Sequence, residues 1–267
     1  MHIPTLVPEV VTHIGGINVT NTMINAMLGT IIFLVVGILI KKTLALRPSG
    51  IQNFFEYLLE ILMDYFDQVT GDRKKTLLFL PIVGSVFFFI LLSNWLGLLP
   101  GTGSITWKHA MILRPANTDL NLTAAMAIVA VLSSHFFGLI TVGVFTHLNK
   151  FIQIGTFIKS LKKGPIAIFT AIIELGVGLI EVVSELAKVL SLSLRLFGNI
   201  FAGDVLISVI SALVGFLVPT PFMLLELLVG LIQASVFAML TLVYLTIMTT
   251  SHEGHEGHEK KAAVAHA

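Results

Sequence analysis

One nearly uninterrupted apolar stretch, from Pro165 to about Ala212, limits most strongly how this chain can fold. As a single α-helix these residues would be roughly 70 Å long, since each residue adds about 1.5 Å. The hydrocarbon core of a bilayer is only about 30 Å thick. The stretch must therefore tilt strongly in a membrane or break into pieces, and either arrangement holds its six charged residues at membrane depth.

The charges in this stretch follow a regular spacing. Glu174, Glu181, Lys188 and Arg195 are each seven residues apart, and on a helix a seven-residue step drifts by only about 20°. They therefore share one slowly turning stripe, whereas Asp204 follows Arg195 by nine residues and lies about 180° away. An ionisable side chain in a membrane segment costs about 2.5–3.5 kcal/mol on insertion scales, and by default it marks a functional site.

The composition predicts an all-α polytopic membrane protein. Hydrophobic residues make up 55% of the chain and charged residues only 12%, which excludes an ordinary soluble domain. The alternating pattern of a membrane β-barrel is absent, so the spans should be helices. A net charge of +1 argues against a nucleic-acid partner, and no GxxxxGK[ST] motif for nucleotide binding is present. With no cysteine, neither disulfides nor thiolate chemistry are expected.

Three shorter apolar segments are each long enough to cross a bilayer. They run from Thr22 to Ile40, from Thr76 to Leu99 and from about Leu120 to Thr146. A final apolar helix, from Phe222 to Thr249, should run antiparallel to the long helix before it. About ten Lys and Arg residues fall in the predicted cytoplasmic loops and two in the outer loops. The N-terminus is therefore expected outside and the C-terminus in the cytoplasm.

Residues 51–69 have the pattern of an amphipathic helix lying in the membrane interface. Their polar face is either simply solvated or a docking surface for a partner, and the solvated face is the preferred interpretation. The acids on this face are Glu56, Glu60, Asp64 and Asp67.

The chain divides into four predicted segments. Residues 1–75 comprise the outside N-terminus, the first span and the cytoplasmic amphipathic helix, and residues 76–148 form a transmembrane hairpin. Residues 149–250 comprise a basic interfacial segment and the long helix pair, and residues 251–267 form a disordered, histidine-rich cytoplasmic tail. Three histidines recur in this tail, where no preformed metal site is expected; they are His252, His255 and His258.

The residues SLSLRLFGNIFAGD at 191–204 resemble the core of subunit a of the F-type ATP synthase, the stator channel protein beside the rotor ring. Further similar stretches are SNWLGLLP at 93–100, TDLNLT at 118–123 and LIQASVFAMLTLVYL at 231–245. The resemblance implies a long, tilted, antiparallel helix pair packed against the rotor ring of c subunits. It also implies peripheral-stalk b subunits and membrane lipid as partners, a bacterial plasma membrane as the location, and no cofactor, metal or covalent catalysis in this chain.

The resemblance further implies two aqueous half-channels, which meet the rotor at opposite sides of Arg195. Arg195 would be the essential rotor-facing charge: a guanidinium cannot relay protons, but it lowers the pKa of a nearby carboxylate. The outer half-channel would be lined by Asn199, Asp204, Glu226, Gln233 and Asp119. The inner half-channel would involve Glu181, Ser184, Lys188 and Ser191.

Several residues have a purely structural alternative. On spacing alone, Arg195 could equally be neutralised within the chain by Glu181 or Glu185, and Lys188 could pair with either acid. Gln233 could be a simple interhelical hydrogen-bonding residue.

The acid pair departs from the family pattern. Many members pair a carboxylate with a histidine at the positions that match Asp204 and Glu226, where this chain has two acids. Two nearby carboxylates titrate as a coupled pair. His135 could replace the relay histidine, although a polar residue between helices is the preferred interpretation.

The function predicted is thus the proton-conducting stator subunit of a rotary ATP synthase, and we take the ion to be H⁺. A self-contained secondary transporter is the alternative, and it predicts an inverted repeat that is not visible. A structural membrane scaffold is a second alternative, in which Arg195 has no part in ion flux.

Overall fold

The computed structural model describes most of the chain as helix. The described residues are 5–45, 50–99, 106–107, 110–111, 113–144, 146–147, 165–214 and 218–250. Five helices are long and apolar enough to cross a membrane: Asn21–Lys42, Arg73–Gly97, Leu120–Val142, Gly176–Val214 and Pro219–Thr249. The predicted all-α polytopic membrane fold is confirmed. The basic segment 149–164 and the tail with His252, His255 and His258 lie outside the described residues.

The chain forms two compact units, one built from residues 1–126 and 192–242 and the other from residues 127–191 and 243–267. The first unit begins with a β-hairpin that the sequence analysis did not predict. Strands β1 (Val10–Ile14) and β2 (Ile17–Thr20) pair antiparallel. Gly15 and Gly16 between them have φ of 57° and 86°, the positive values that a tight hairpin turn requires.

Helix α1 (Asn21–Thr43) follows the hairpin directly. Its N-cap is Thr20, whose hydroxyl accepts a hydrogen bond of 3.3 Å from the Met23 backbone N–H. The helix extends three residues beyond the predicted end at Ile40 and so includes Lys41 and Lys42 in its last turn. Cations at that position interact favourably with the helix dipole.

Helices α2 (Ile51–Thr70) and α3 (Arg73–Gly97) are joined by only two residues, Gly71 and Asp72. Gly71 ends α2 with φ of 65°, and the Asp72 carboxylate caps α3 by accepting a 2.9 Å hydrogen bond from the Lys74 N–H. The Arg73 guanidinium contacts Asp64 at 3.1 Å and Asp67 at 2.6 Å. Two of the four acids on the polar face of α2 therefore pair within the chain.

A short ribbon, β3 (Thr106–Trp107) with β4 (Ala110–Met111), and a 3₁₀-helix (Ala116–Thr118) precede helix α4. Helix α4 (Leu120–Val142) ends four residues before the predicted boundary at Thr146. The next residue is Gly143, whose φ of 90° is incompatible with continuing a right-handed helix.

Helix α5 (Pro165–Val214) is one continuous helix of 50 residues. Of the two arrangements that the sequence allowed, the chain therefore adopts the unbroken one, and a helix of about 75 Å can lie in a bilayer only with a strong tilt. Helix α6 (Pro219–Thr249) follows it and starts three residues before the predicted Phe222.

Within the first unit, α3 is fastened to α6 by polar groups. The Asn94 amide donates to the Gly230 carbonyl at 3.3 Å, and the Trp95 indole N–H donates to the Leu227 carbonyl at 3.2 Å. Asn94 also accepts a 2.7 Å hydrogen bond from the Asn117 amide. Buried polar groups need such partners in the absence of water, so these contacts fix the helices that carry the candidate site.

Candidate functional site

Arg195 lies at the midpoint of the apolar span Gly176–Val214. It is exposed, as is the preceding Leu194, which is 52% exposed. The opposite face of α5 is buried and includes Leu196 and Ile200. Arg195 therefore lies on an exposed face of an apolar helix, and an ionisable side chain in a membrane segment marks a functional site by default.

One turn after Arg195, α5 is joined to α6. The Asn199 amide donates a 2.9 Å hydrogen bond to the Oε1 atom of Gln233. Gln233 is buried, whereas Asn199 is exposed on the same face as Arg195. The described contact of Gln233 is thus the interhelical hydrogen bond that the sequence offered as its structural alternative.

Asp204 and Glu226 meet in a small cleft, whose other lining residues are Asn94, Leu98, Pro115 and Ile200. Glu226 is only 6% exposed. A methyl group at Gly203 would overlap the Glu226 carboxylate. This glycine thus allows α6 to bring a carboxyl group directly against α5.

A third ionisable residue completes this cluster. The Nε atom of Arg114 lies 3.2 Å from the Oδ2 atom of Asp204, and the Arg114 side chain is 5% exposed. Its guanidinium also lies over the Phe201 ring, 5.7 Å from the centroid, and its carbonyl accepts a 2.7 Å hydrogen bond from the Asn25 amide. From the sequence alone, Arg114 is only one of the two basic residues of the predicted outer loops.

Asp119 is buried at the junction of α1 and α4. Its Oδ2 atom accepts a 3.1 Å hydrogen bond from the Thr22 hydroxyl. Its Oδ1 atom accepts one of 2.9 Å from the Asn121 backbone and one of 3.1 Å from the Asn121 amide. These contacts are those of a helix-capping residue that also ties two helices together.

A second polar cluster belongs to the other unit. The Lys188 ammonium contacts Glu185 at 2.6 Å and lies 5.3 Å from the centroid of the Tyr244 ring. The other carboxylate oxygen of Glu185 is 3.4 Å from the Nε2 atom of His135, whose Nδ1 atom is 3.2 Å from the His147 ring. Of the two partners that the sequence left open for Lys188, the described contact is with Glu185.

The remaining residues predicted for the inner half-channel also lie on α5. Glu181 and Ser184 are half-buried, and Ser191 is exposed one turn before Arg195. Glu181, Lys188 and Arg195 keep the seven-residue spacing on an unbroken helix, so they share one slowly turning stripe.

The family model described as "ATP synthase A chain" matches residues 22–246. The chain belongs to the ATP synthase A chain family. The matched range includes each residue singled out above, from Asn25 and Arg114 to Gln233 and Tyr244. The resemblance drawn from residues 191–204 is confirmed.

Three relatives cover 80–92% of this chain. This chain is 31% identical over 245 residues to ATP synthase subunit a of Moorella thermoacetica. The alignment covers 92% of this chain and 98% of the relative. The chain is 34% identical over 215 residues to subunit a of Syntrophobacter fumaroxidans, covering 80% and 78% of the two chains. It is 33% identical over 219 residues to the chloroplastic subunit a of Stigeoclonium helveticum, covering 82% and 79%.

Family membership makes this chain an integral membrane subunit, and a non-catalytic one, of an ATP synthase. Two residues of its polar clusters were missed by sequence reasoning. Arg114 is 90 residues from its partner Asp204, and His147 follows the predicted third span by one residue. The available signal for Arg114 was its position: it lies five residues before Asp119 and just before the recognisable TDLNLT stretch.

Proposed function

We propose that this chain is the stator subunit that loads and unloads protons on the rotor-ring carboxylates of a rotary F-type ATP synthase. The observation that carries the proposal is Arg195, an exposed arginine at the midpoint of an apolar span. An arginine stays protonated at all physiological pH values. Its charge therefore suits a partner that brings a carboxylate to the same depth of the membrane.

Arg195 acts on each ring carboxylate in turn. An opposite charge within about 4–6 Å lowers the pKa of a carboxylate by about 1–3 units, so a protonated ring site that approaches Arg195 releases its proton. The same charge repels cations and prevents a direct leak between the two half-channels. The transmembrane potential supplies about 2.3 kcal/mol per elementary charge for each 100 mV.

The outer half-channel leads protons to the ring through polar groups at the α5–α6 contact. Support comes from the cleft that holds both Asp204 and Glu226 and from the Asn199–Gln233 hydrogen bond near Arg195. Asp119 lies nearer the outer opening of this half-channel. A carboxyl group that exchanges its proton can pass it along such a line of polar side chains.

The inner half-channel carries the released proton away along the N-terminal part of α5. Its residues are Glu181, Ser184, Lys188 and Ser191. Support comes from their common stripe with Arg195 on one unbroken helix and from the Glu185 contact that holds Lys188 in place.

The rotor ring of c subunits packs against the exposed face of α5, and peripheral-stalk b subunits complete the stator. The chain lies in a bacterial plasma membrane with its N-terminus outside and its C-terminus in the cytoplasm. The distribution of about ten Lys and Arg residues inside against two outside supports this orientation.

The test is ATP-driven proton pumping by the complete complex in inverted membrane vesicles. Arg195→Ala should abolish coupled pumping while the complex still assembles, and Lys74→Ala, an exposed cation at the start of α3, should pump normally. Unchanged coupling in an assembled Arg195→Ala complex would reject the proposal in favour of a scaffold. Proton transport by this chain alone, without the rotor, would favour a self-contained transporter.

A further inference from the structure

We propose that Arg114 is a positioning residue that holds Asp204 as a fixed anion and thereby leaves Glu226 as the single proton carrier of the outer acid pair. This inference rests on the proposed function and assigns separate roles to two acids that the sequence predicted to titrate as a coupled pair.

The position of Arg114 is fixed on several sides. Its carbonyl is bound by Asn25, and its guanidinium lies over Phe201, which is three residues before Asp204 on the same helix. A methyl group at Gly97 would overlap the backbone and ring of Pro115, so the segment that carries Arg114 packs directly against the end of α3. The guanidinium is therefore a buried part of the site, held in place by its neighbours.

Asp204 keeps its negative charge because its partner cannot lose a proton. The Arg114 Nε atom donates to the Asp204 Oδ2 atom at 3.2 Å, and the two side chains are 5% and 19% exposed. Protonating Asp204 would leave the arginine as an uncompensated buried cation, which is strongly unfavourable. A carboxylate held in this way does not exchange a proton with each turn of the rotor.

Glu226 lies in the opposite situation. It is buried, it shares a cleft with the anionic Asp204, and its Oε1 atom has no hydrogen-bond partner among the described residues. A second negative charge there would be repelled by Asp204 and would lack a counter-charge of its own. Glu226 therefore rests in the neutral, protonated form and can give up and regain that proton.

The other residues that line the cleft add no charge beside Asp204 and Glu226. Asn94 contributes a neutral amide whose oxygen already accepts from Asn117. Leu98, Pro115 and Ile200 contribute apolar surface. Among the described residues that line the cleft or contact its acids, the ionisable groups are thus one fixed cation, one fixed anion and one exchangeable acid.

The experiment compares four variants of the complete complex with the same amount of assembled protein: Arg114→Gln, Asp204→Asn, Arg114→Gln/Asp204→Asn and Glu226→Gln. The readouts are the initial rate of ATP-driven pumping in inverted vesicles and the pH profile of passive proton conductance. Glu60→Gln, which removes an exposed acid of α2, is the matched control for loss of a carboxylate.

Glu226→Gln should lower both rates by about a hundredfold, the usual contribution of a positioned proton-transfer group. Each single change at Arg114 or Asp204 leaves one unpaired charge beside Glu226, and should lower pumping and shift the pH profile. The double variant, which is neutral at both positions, should recover most of the pumping rate and the original pH profile. A merely structural role would not restore that profile.

The inference is overturned if the double variant is no better than either single variant, or if Glu226→Gln pumps normally while the Arg114 and Asp204 variants do not. Those outcomes differ from failure of the proposed function, which would appear as normal coupling in Arg195→Ala. An Arg195→Ala complex that loses coupling while the double variant stays inactive would retain the channel function and reject only the separate roles of the two acids.

Discussion

The Nδ2 atom of Asn199 donates a 2.9 Å hydrogen bond to the Oε1 atom of Gln233, and this contact joins α5 to α6 one turn after Arg195. Gln233 is buried and Asn199 is exposed on the side of α5 that carries Arg195. The bond therefore ties α5 to α6 one turn from the arginine that we propose faces the rotor.

Loss of this bond should weaken coupling moderately. An interhelical hydrogen bond in a membrane is worth about 0.6 kcal/mol, so Asn199→Ala and Gln233→Ala should each lower the pumping rate about two- to threefold. Because both remove the same bond, the double variant should be little worse than either single one. Ser235→Ala is the control, since the Ser235 hydroxyl bonds within its own helix to Leu231. Fully additive losses would show that the two residues act separately.

Gly203→Ala should displace the Glu226 carboxyl group, because the added methyl would overlap its atoms. The carboxyl group is the far end of a flexible side chain, so we expect the complex to assemble but to pump protons more slowly. Gly176→Ala is the matched control on the same helix, because its added methyl would meet no atom within 4 Å. Equal behaviour of the two variants would contradict the close approach of Glu226 to Gly203.

Removing one charge of the Glu185–Lys188 pair should lower the stability of the complex more than removing both charges. Glu185→Gln leaves Lys188 without its 2.6 Å contact, and an uncompensated charge in an apolar setting is costly. The midpoint of thermal unfolding of the purified complex should therefore fall in Glu185→Gln. It should recover at least partly in Glu185→Gln/Lys188→Met, and a double variant less stable than the single one would refute this account.

Asn94 should contribute to the packing of α3 against α6. Asn94→Ala removes its hydrogen bond to the Gly230 carbonyl and leaves the Asn117 amide without its described acceptor, and an unsatisfied buried polar group costs about 1–3 kcal/mol. We expect reduced thermal stability of the complex and a lower yield. Asn53→Ala, an exposed position on α2, should have almost no effect, and similar losses at both positions would argue against the interhelical role.

The periodicity and length of the apolar segments predicted the membrane fold well. Both properties depend only on residues close together in the sequence, so they can be read without knowing the packing. The apolar runs gave the helices to within a few residues, and the long run after Pro165 already required a tilt or a break. Which of the two occurs was not predictable, since it depends on what packs along α5. The hairpin of β1 and β2 was missed because strands of five and four residues give too short an alternating pattern.

The partners of the charged residues were harder to predict from one sequence. The seven-residue spacing placed Glu181, Lys188 and Arg195 on one stripe, but it could not choose between Glu181 and Glu185 for Lys188. Arg114 and Asp204 are separated by 90 residues, and no local pattern connects a loop arginine with an acid on a distant helix. Such pairs emerge only when the helices are packed.

The most direct test of the central claim is disulfide cross-linking between this chain and the rotor ring. The chain contains no cysteine, so single cysteines can be introduced without background. Ser191 is exposed one turn before Arg195, whereas Ser193, two residues later, is buried on the opposite side of α5. In the assembled complex, Ser191→Cys should form a disulfide with a cysteine placed beside the ring carboxylate, and Ser193→Cys should not. Cross-linking at position 193 alone, or at neither position in a complex that pumps protons, would contradict the claim that this face meets the rotor.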